Sequence, residues 1–147
     1  MMELFSDEYF MKEALKEAQK AFDKGEVPVG AVIVSNNTII AKGHNLTETL
    51  NDVTAHAEMQ VITSASEYLG SKFLNDCTLY VSLEPCVMCA GAITWARFGR
   101  IVIGAKDDKK GFSKINQEII PKTVELKYGI LENECSEILS RFFKKLR

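Results

Sequence analysis

Two short motifs constrain this chain more than any other feature, His56-Ala57-Glu58 and Pro85-Cys86-Val87-Met88-Cys89. One imidazole and two thiols are side chains that bind Zn²⁺ in proteins. Three protein ligands leave the fourth tetrahedral position open, which is typical of a catalytic zinc and not of a structural one. Water in that position becomes a nucleophile near neutral pH, so the motifs predict metal-assisted hydrolysis. They also require a fold that brings these two segments, distant in the sequence, into contact.

Glu58 follows the predicted imidazole ligand by two residues and is not needed as a ligand itself. Two thiolates balance the charge of the metal, so the carboxylate is free to take a proton from the bound water and return it to a substrate. Residues two apart on a regular helix point in nearly opposite directions. We therefore expect His56 and Glu58 in the first turn of a helix, with Thr54 near its cap.

Each motif taken alone is compatible with more than one kind of site. A Cys-x-x-Cys pair in a reducing compartment can be a redox pair, which predicts loss of function on thiol alkylation with no zinc bound. A structural zinc site needs a fourth ligand, and His44, Cys77 and Cys135 are the remaining candidates, although none has finger-like spacing. Two thiolates with one imidazole favour zinc but do not by themselves exclude iron.

Length and composition limit the class of protein. With 147 residues, of which 46% are hydrophobic and 26% are charged, the chain predicts a single globular domain over residues 1–147. It has no apolar run long enough to cross a membrane, and its start lacks the basic and apolar regions of a signal peptide. We therefore expect a cytoplasmic protein whose four cysteines are reduced.

The net charge of −2 is unevenly distributed along the chain. Segments 106–114 and 141–147 are basic, and the remainder is acidic. Local clusters of lysine and arginine are typical of proteins that bind phosphate groups. A basic final turn also complements the dipole of a C-terminal helix, so the charge pattern is compatible with either role.

Hydrophobic periodicity predicts alternating helices and strands after a leading hairpin. The predicted helices span residues 6–24, 54–68, 86–97 and 133–145, and the predicted strands span 31–34, 38–41, 78–83, 101–105 and 123–126. On the second helix, Met59, Ile62, Ser66 and Leu69 share one face. This order indicates a three-layer α/β/α fold in which one mixed sheet is covered by helices on both sides. Both halves of the metal site then lie at helix N-termini, where such folds bind ligands.

Further elements complete a recognisable pattern, namely Val27-Pro28-Val29-Gly30-Ala31-Val32-Ile33-Val34, Gly43-His44-Asn45 and Leu139-Ser140-Arg141-Phe142-Phe143-Lys144-Lys145. With the H-x-E and P-C-x-x-C motifs, which mark zinc-dependent nucleobase deaminases, the chain resembles the bacterial tRNA-specific adenosine deaminases over nearly its whole length. These belong to the cytidine-deaminase superfamily. The amide of Asn45 can both donate to and accept from a base edge, although an asparagine beside Gly43 also suits a turn.

The resemblance implies a cytidine-deaminase-like fold with a mixed five-stranded sheet and one zinc ion per subunit. It implies hydrolysis of the wobble adenosine of a tRNA anticodon to inosine with release of ammonia, by an enzyme that is usually a homodimer. The partner would be an anticodon stem-loop, with no role for DNA or a membrane. His56, Cys86 and Cys89 would bind zinc and Glu58 would transfer protons. Asn45 would contact the flipped base, Val29, Leu83 and Asp107 would line the pocket or hold the neighbouring nucleotide, and Phe142, Phe143, Lys144 and Lys145 would help to hold the stem-loop.

One segment departs from the family pattern. Where the family favours a run rich in Gly, Ala and Ser, this chain has Asp108-Lys109-Lys110-Gly111-Phe112-Ser113-Lys114-Ile115-Asn116. The departure concerns the contacts with tRNA and not the zinc chemistry.

Two other functions compete with this one. The same chemistry on a free base or nucleoside of the guanine or cytosine type needs the same motifs, although the basic, aromatic C-terminus favours RNA. A non-catalytic zinc or RNA-binding module has no use for Glu58, and it predicts that Glu58→Gln leaves every activity intact. Trp95, on the helix of the second cysteine, suits either a subunit interface or the core.

Overall fold

A computed structural model describes residues 2–146 and contains one five-stranded sheet with helices on both faces. The helices are α1 (Asp7–Asp23), α2 (Ala57–Leu69), α3 (Val87–Ala96), α4 (Phe112–Ile115) and α5 (Glu132–Lys145). The strands are β1 (Gly30–Ser35), β2 (Thr38–His44), β3 (Cys77–Leu83), β4 (Arg100–Ala105) and β5 (Glu125–Tyr128). The three-layer α/β/α arrangement with one mixed five-stranded sheet is confirmed.

The strand order is β2-β1-β3-β4-β5, in which β1 is antiparallel to both neighbours and β3, β4 and β5 are parallel. Asn36 and Asn37 have φ values of 51° and 59° and form the tight hairpin turn between β1 and β2. Asparagine tolerates this left-handed region, and such turns match the twist of the strands. Because of these directions, the start of β1 and the ends of β2, β3 and β4 meet at one edge of the sheet.

The core consists of two apolar layers, one on each face of the sheet. In β1, Ala31 and Ile33 pack towards α2 and α3, whereas Val32 and Val34 pack towards α1 and α5. The other central strands repeat this alternation, which is the period of two expected for a sheet buried on both sides.

Helix α1 is held closely against the sheet at two points. A Cβ at Gly30 would collide with main-chain atoms of Ala14 and Ala18, so this close approach requires glycine. At the start of the helix, the Asp7 carboxylate accepts hydrogen bonds from Arg100 at 2.7 Å and 2.8 Å and from the Tyr80 hydroxyl at 2.8 Å. These bonds tie α1 to β3 and β4.

Helix α2 begins at Ala57 and not at the predicted Thr54. The amide and hydroxyl of Thr54 donate to the Asp52 carboxylate at 2.9 Å and 2.7 Å, which holds this residue in a turn ahead of the helix. The N-cap of the helix is His56. Thr54 lies two positions before the cap, so the prediction that it is near the cap is confirmed, although the helix itself starts later than predicted.

The buried face of α2 consists of Ala57, Glu58, Val61 and Ala65. Of the apolar face noted in the sequence, Ile62 packs against the edge of the core, Met59 and Ser66 are half-buried and Leu69 is exposed. Small residues on the inner face let the helix lie close to the sheet.

The C-terminal part differs from prediction in two details. The short helix α4 was not predicted, and β5 begins at Glu125 and not at residue 123. Four-residue elements carry too little periodicity to be recognised from a sequence. None of the helices within residues 2–146 combines the length and the apolar character needed to cross a membrane.

Candidate metal centre and active site

The predicted metal ligands come together at two helix N-termini. His56 and Cys86 are the N-cap residues of α2 and α3, and Cys89 lies in the first turn of α3. The Nδ1 atom of His56 is 3.6 Å from Sγ of Cys86 and 3.5 Å from Sγ of Cys89. Tetrahedral zinc with bonds of about 2.3 Å to sulfur and about 2.0–2.1 Å to nitrogen places these atoms about 3.6 Å apart. The three side chains therefore fit a zinc ion in both donor type and spacing.

The charges of the two thiols also fit a cation. Hydrogen bonds from Cys89 and His56 lower the pKa of Cys86 to about 4, so this thiol is ionised at neutral pH. The hydrogen bond that Cys89 makes to Cys86, together with burial, raises the pKa of Cys89. A second thiolate beside the first would be repelled, and a divalent cation between them removes that repulsion.

Glu58 lies in the first turn of α2, where it is 3% exposed. Burial raises the pKa of its carboxyl to about 7. His56 has extended backbone angles, with φ −73° and ψ 157°, so its side chain leaves the helix in a direction unlike that of a residue within the helix. This is how residues two apart reach the same site, and the expectation that both lie at the helix start is confirmed.

A cavity of about 260 Å³ opens beside the ligands. His56, Glu58 and Cys86 form one side of it, and the predicted substrate-binding residues Val29, Asn45, Leu83 and Asp107 line the rest. These side chains come from the edge of the sheet where the start of β1 and the ends of β2, β3 and β4 meet. Its volume is near the lower end of the range for small-ligand pockets, which is about 300–1,000 Å³.

Asn45 is buried in the cavity wall and is held by the neighbouring loop. Its Nδ2 atom donates to the carbonyl of Val27 at 3.3 Å, and its Oδ1 atom accepts from the amide of Thr47 at 3.3 Å. An amide side chain has two N–H donors and two acceptor lone pairs. One donor and one acceptor position of Asn45 therefore remain for a ligand.

The predicted C-terminal contacts lie on α5, away from this cavity. Phe142 is 5% exposed and packs edge-to-face on Phe22 of α1, with ring centroids 5.8 Å apart. Its ring joins α5 to α1, and its part in holding a stem-loop stays a prediction. Phe143, Lys144 and Lys145 are exposed, and their roles in binding stay predictions.

Several residues of the site had no role in the sequence analysis. Val27, Thr47, Glu84 and Lys110 also line the cavity. The one local signal was the position of Glu84, directly before Pro85 and Cys86 in the motif. The other three lie in loops, and the sequence of a loop has no periodicity that would show which residues face a cavity.

Glu26 is a further buried carboxylate behind the cavity wall. It is 0% exposed and accepts hydrogen bonds from the amides of Glu48 at 3.0 Å and Thr49 at 2.6 Å. Burial raises its pKa, but the hydrogen bonds from Thr49 and Glu48 outweigh burial and lower the pKa below its usual value. Glu26 therefore holds the loop that contains Thr47.

Comparisons with known proteins bear on this site. The model of the MafB19-like deaminase family matches residues 5–147. A tRNA-specific adenosine deaminase of Bacillus subtilis is 51% identical over 146 residues, covering 96% of this chain and 91% of that protein. A chain from a structural study of A-to-I editing by tRNA:A34 deaminases at the wobble position of transfer RNA is 45% identical with a TM-score of 0.83, covering 89% of this chain and 99% of that chain. A guanine deaminase structure from Bacillus subtilis is 37% identical with a TM-score of 0.68, covering 92% and 93%.

Proposed function

The chain belongs to the MafB19-like deaminases by its family match and to the tRNA-specific adenosine deaminases by its relatives, and from this we propose its reaction. We propose that it hydrolyses the wobble adenosine of a tRNA anticodon to inosine and releases ammonia. The observation that carries the proposal is the meeting of His56, Cys86 and Cys89 with the buried carboxylate Glu58 at one cavity. Family membership agrees with the resemblance inferred from the motifs.

The chemistry divides between a metal and the side chains of the chain. His56, Cys86 and Cys89 would hold one zinc ion per subunit, which supplies a water of lowered pKa when bound. Glu58 takes a proton from the attacking water and delivers it to the purine ring nitrogen as the C6–O bond forms. It then takes the remaining proton of the added hydroxyl and delivers it to the amino group, which leaves as ammonia as the C6–N bond breaks. A carboxyl with a pKa near 7 suits both steps, because it accepts and gives up a proton at similar cost.

The remaining side chains orient the base. Asn45 presents its free donor and acceptor to the base edge, and Val29 and Leu83 provide apolar contacts for its faces. A base must leave its stack to enter such a cavity, and an unpaired loop such as an anticodon makes this step less costly.

The choice of a nucleic acid over a free base depends on the surroundings of the cavity. The similarity to a guanine deaminase means that the metal chemistry alone does not separate the two substrates. Lys110 lines the cavity beside Asp107, and Phe143, Lys144 and Lys145 are exposed at the end of α5. A free base carries no phosphate, whereas one lysine beside the cavity and further lysines and an aromatic ring exposed on α5 are features that suit RNA. Such a substrate would place the protein in the cytoplasm.

We also propose that the protein forms a homodimer through the outer faces of α2 and α3. Trp95 is 81% exposed and borders a largely apolar groove that also includes Ile62, Phe73 and Ala92. An exposed aromatic side chain beside an apolar groove is typical of a protein interface. In a two-fold dimer, each Trp95 can enter the groove of the other copy. Light scattering is expected to show a dimer for the wild type and a monomer for Trp95→Glu, and a wild-type monomer would contradict the interface.

The function is tested with an anticodon stem-loop that carries adenosine at the wobble position. Wild-type protein and Glu58→Ala are compared for inosine formation, with free guanine and cytidine assayed beside the stem-loop. Inosine from the wild type alone supports both the substrate class and the role of Glu58. Ammonia from guanine without inosine would keep the hydrolytic chemistry and overturn the tRNA substrate.

A further inference from the structure

The loop formed by residues 107–113, here called the rim loop, contributes Asp107 and Lys110 to the cavity wall. It follows β4 and includes the first two residues of α4, Phe112 and Ser113. Glu84 also lines this cavity; it directly follows β3 and precedes Pro85 and the metal-ligand candidate Cys86. Glu84 is therefore close in sequence to the metal centre, while its side chain faces the rim loop.

Glu84 is 3% exposed, and its carboxylate accepts three hydrogen bonds, all from the rim loop. Its Oε1 atom accepts from the amide of Asp107 at 3.1 Å. Its Oε2 atom accepts from the amide of Ser113 at 3.1 Å and from the hydroxyl of Ser113 at 2.6 Å. One side chain therefore binds both ends of the loop.

The main chain strengthens this connection. The amide of Phe112 donates to the carbonyl of Pro85 at 2.9 Å, next to the candidate ligand Cys86. A Cβ at Gly111 would lie 2.5 Å from Oε1 of Glu84, so only glycine allows the loop to approach the carboxylate this closely. The fit between loop and carboxylate leaves no room for a side chain.

The same bonds extend to the part of the loop that faces the cavity. The carboxylate of Asp107, whose amide is held by Glu84, accepts from the amides of Lys109 and Lys110, each at 3.0 Å. The position of Lys110 at the cavity mouth therefore follows from the position of Glu84. A buried carboxylate costs free energy unless its partners compensate, and an apolar side chain would fill this space without that cost.

We propose that Glu84 is a positioning residue that holds the rim loop at a set distance from the Cys86 turn and so governs binding of the nucleotide beside the target base. The identity of that nucleotide rests on the proposed function. Glu84 does not take part in proton transfer. Its loss changes the shape of the wall and leaves the metal ligands in place.

The test compares Glu84→Gln with Glu118→Gln, an exposed glutamate further along the same region. Glutamine keeps the size of glutamate, but its NH₂ group faces an N–H or O–H donor where the carboxylate had an acceptor. We expect the KM for the anticodon stem-loop to rise about tenfold in Glu84→Gln, with kcat within about threefold of the wild type and zinc content unchanged. Glu118→Gln is expected to behave as the wild type.

Gly111→Ala provides a second variant that leaves the carboxylate intact. It displaces the rim loop by steric contact, so it is expected to raise KM in the same way. Amide hydrogen exchange adds a readout that does not depend on activity: in both variants, the amides of Asp107 and Ser113 lose protection while those of β3 keep it.

A lower kcat and a lower zinc content at unchanged KM would overturn the proposal, because Glu84 would then support the metal turn alone. Wild-type kinetics in both variants would also overturn it. If the wild type forms no inosine at all, the proposed function fails, and hydrogen exchange alone decides: retained protection in Glu84→Gln refutes the role of Glu84, and selective loss supports it.

Discussion

Glu58 and Glu84 are equally buried carboxylates in the walls of one cavity, at 3% exposure each, yet their surroundings differ. Glu84 accepts three hydrogen bonds from the rim loop. For Glu58, burial is the largest influence, and it raises the pKa of the carboxyl to about 7. At equal depth the two groups differ in their supply of hydrogen-bond donors, which suits the proposed role of Glu84 in holding a loop and that of Glu58 in proton transfer.

Glu26 extends the comparison to the opposite wall. It is more deeply buried than either, but hydrogen bonds from the loop that follows β2 lower its pKa. Two loops of the cavity are therefore each held by a glutamate, Glu26 for the loop of Thr47 and Glu84 for the rim loop. The third glutamate, Glu58, is the one for which we propose a part in the chemistry.

Removal of the metal is expected to have the largest effect, and it should separate catalysis at Glu58 from loop positioning by Glu84. Chelation should reduce deamination below detection, because the attacking water is no longer activated, and added Zn²⁺ should restore it. Hydrogen exchange of the rim loop should change little, since Glu84 and not the metal holds it. Full activity in metal-free protein, confirmed by elemental analysis, would contradict the assignment of His56, Cys86 and Cys89.

Glu58→Gln is expected to lower kcat by about 10³-fold with little change in KM, because general acid–base catalysis contributes about 10²–10⁴-fold. Glu84→Gln is expected to raise the KM for the stem-loop and to leave kcat nearly unchanged. Single-turnover rates at saturating stem-loop separate the two. Retention of the wild-type kcat by Glu58→Gln, with zinc still bound, would contradict the role of Glu58 in proton transfer, whereas absence of deamination in both proteins would favour the non-catalytic module.

Glu26→Gln is expected to reduce the free energy of unfolding by about 2 kcal/mol at neutral pH, because charged hydrogen bonds in the interior are lost. The folded-state pKa of Glu26 lies below its ordinary value of 4.5, so its contribution is complete above that pH. It is lost as the pH falls through the lower folded value. Urea unfolding should show that the difference in free energy of unfolding between wild type and variant decreases as the pH falls. A difference that increases at low pH would contradict this assignment.

Ser113→Ala is expected to have the smallest effect. It removes one of the three donors to Glu84 and leaves the two amides, so KM for the stem-loop should rise only about threefold. Steady-state kinetics check this value. In the double variant with Glu84→Gln, the increase in KM should be smaller than the two single increases combined. Strict additivity of the corresponding free energies would show that the two residues act separately.

Much of the fold was predictable because its signals are local. The alternation of Ala31, Val32, Ile33 and Val34 indicated a strand buried on both faces, and the turn at Asn36-Asn37 indicated its hairpin. Glycine at position 70 marked the end of α2, where φ is +65°. Each of these signals depends on residues within a few positions of one another.

Burial was less predictable, because it is decided by neighbours from elsewhere in the chain. The ring of Phe142 packs on Phe22 of α1, a contact that the basic, aromatic ending did not indicate. On α2 the fully buried residues are Ala57, Glu58, Val61 and Ala65, whereas Met59 and Ile62 are only half-buried. This helix has apolar residues on two faces, and the sequence does not say which one the sheet covers.

The sequence by itself predicted the reaction centre, an imidazole, two thiols and a carboxylate in two short motifs, and it indicated Glu58 as the carboxylate for proton transfer. Only the tertiary structure showed that Glu26 and Glu84 are also buried and accept hydrogen bonds from loops of the cavity. The donors that bind Glu26 and Glu84 come from residues more than twenty positions away, such as Thr49 and Ser113, with separations of 23 and 29. A pKa depends on what surrounds a group in space, and those surroundings exist only once the strands have paired and brought their loops to one edge.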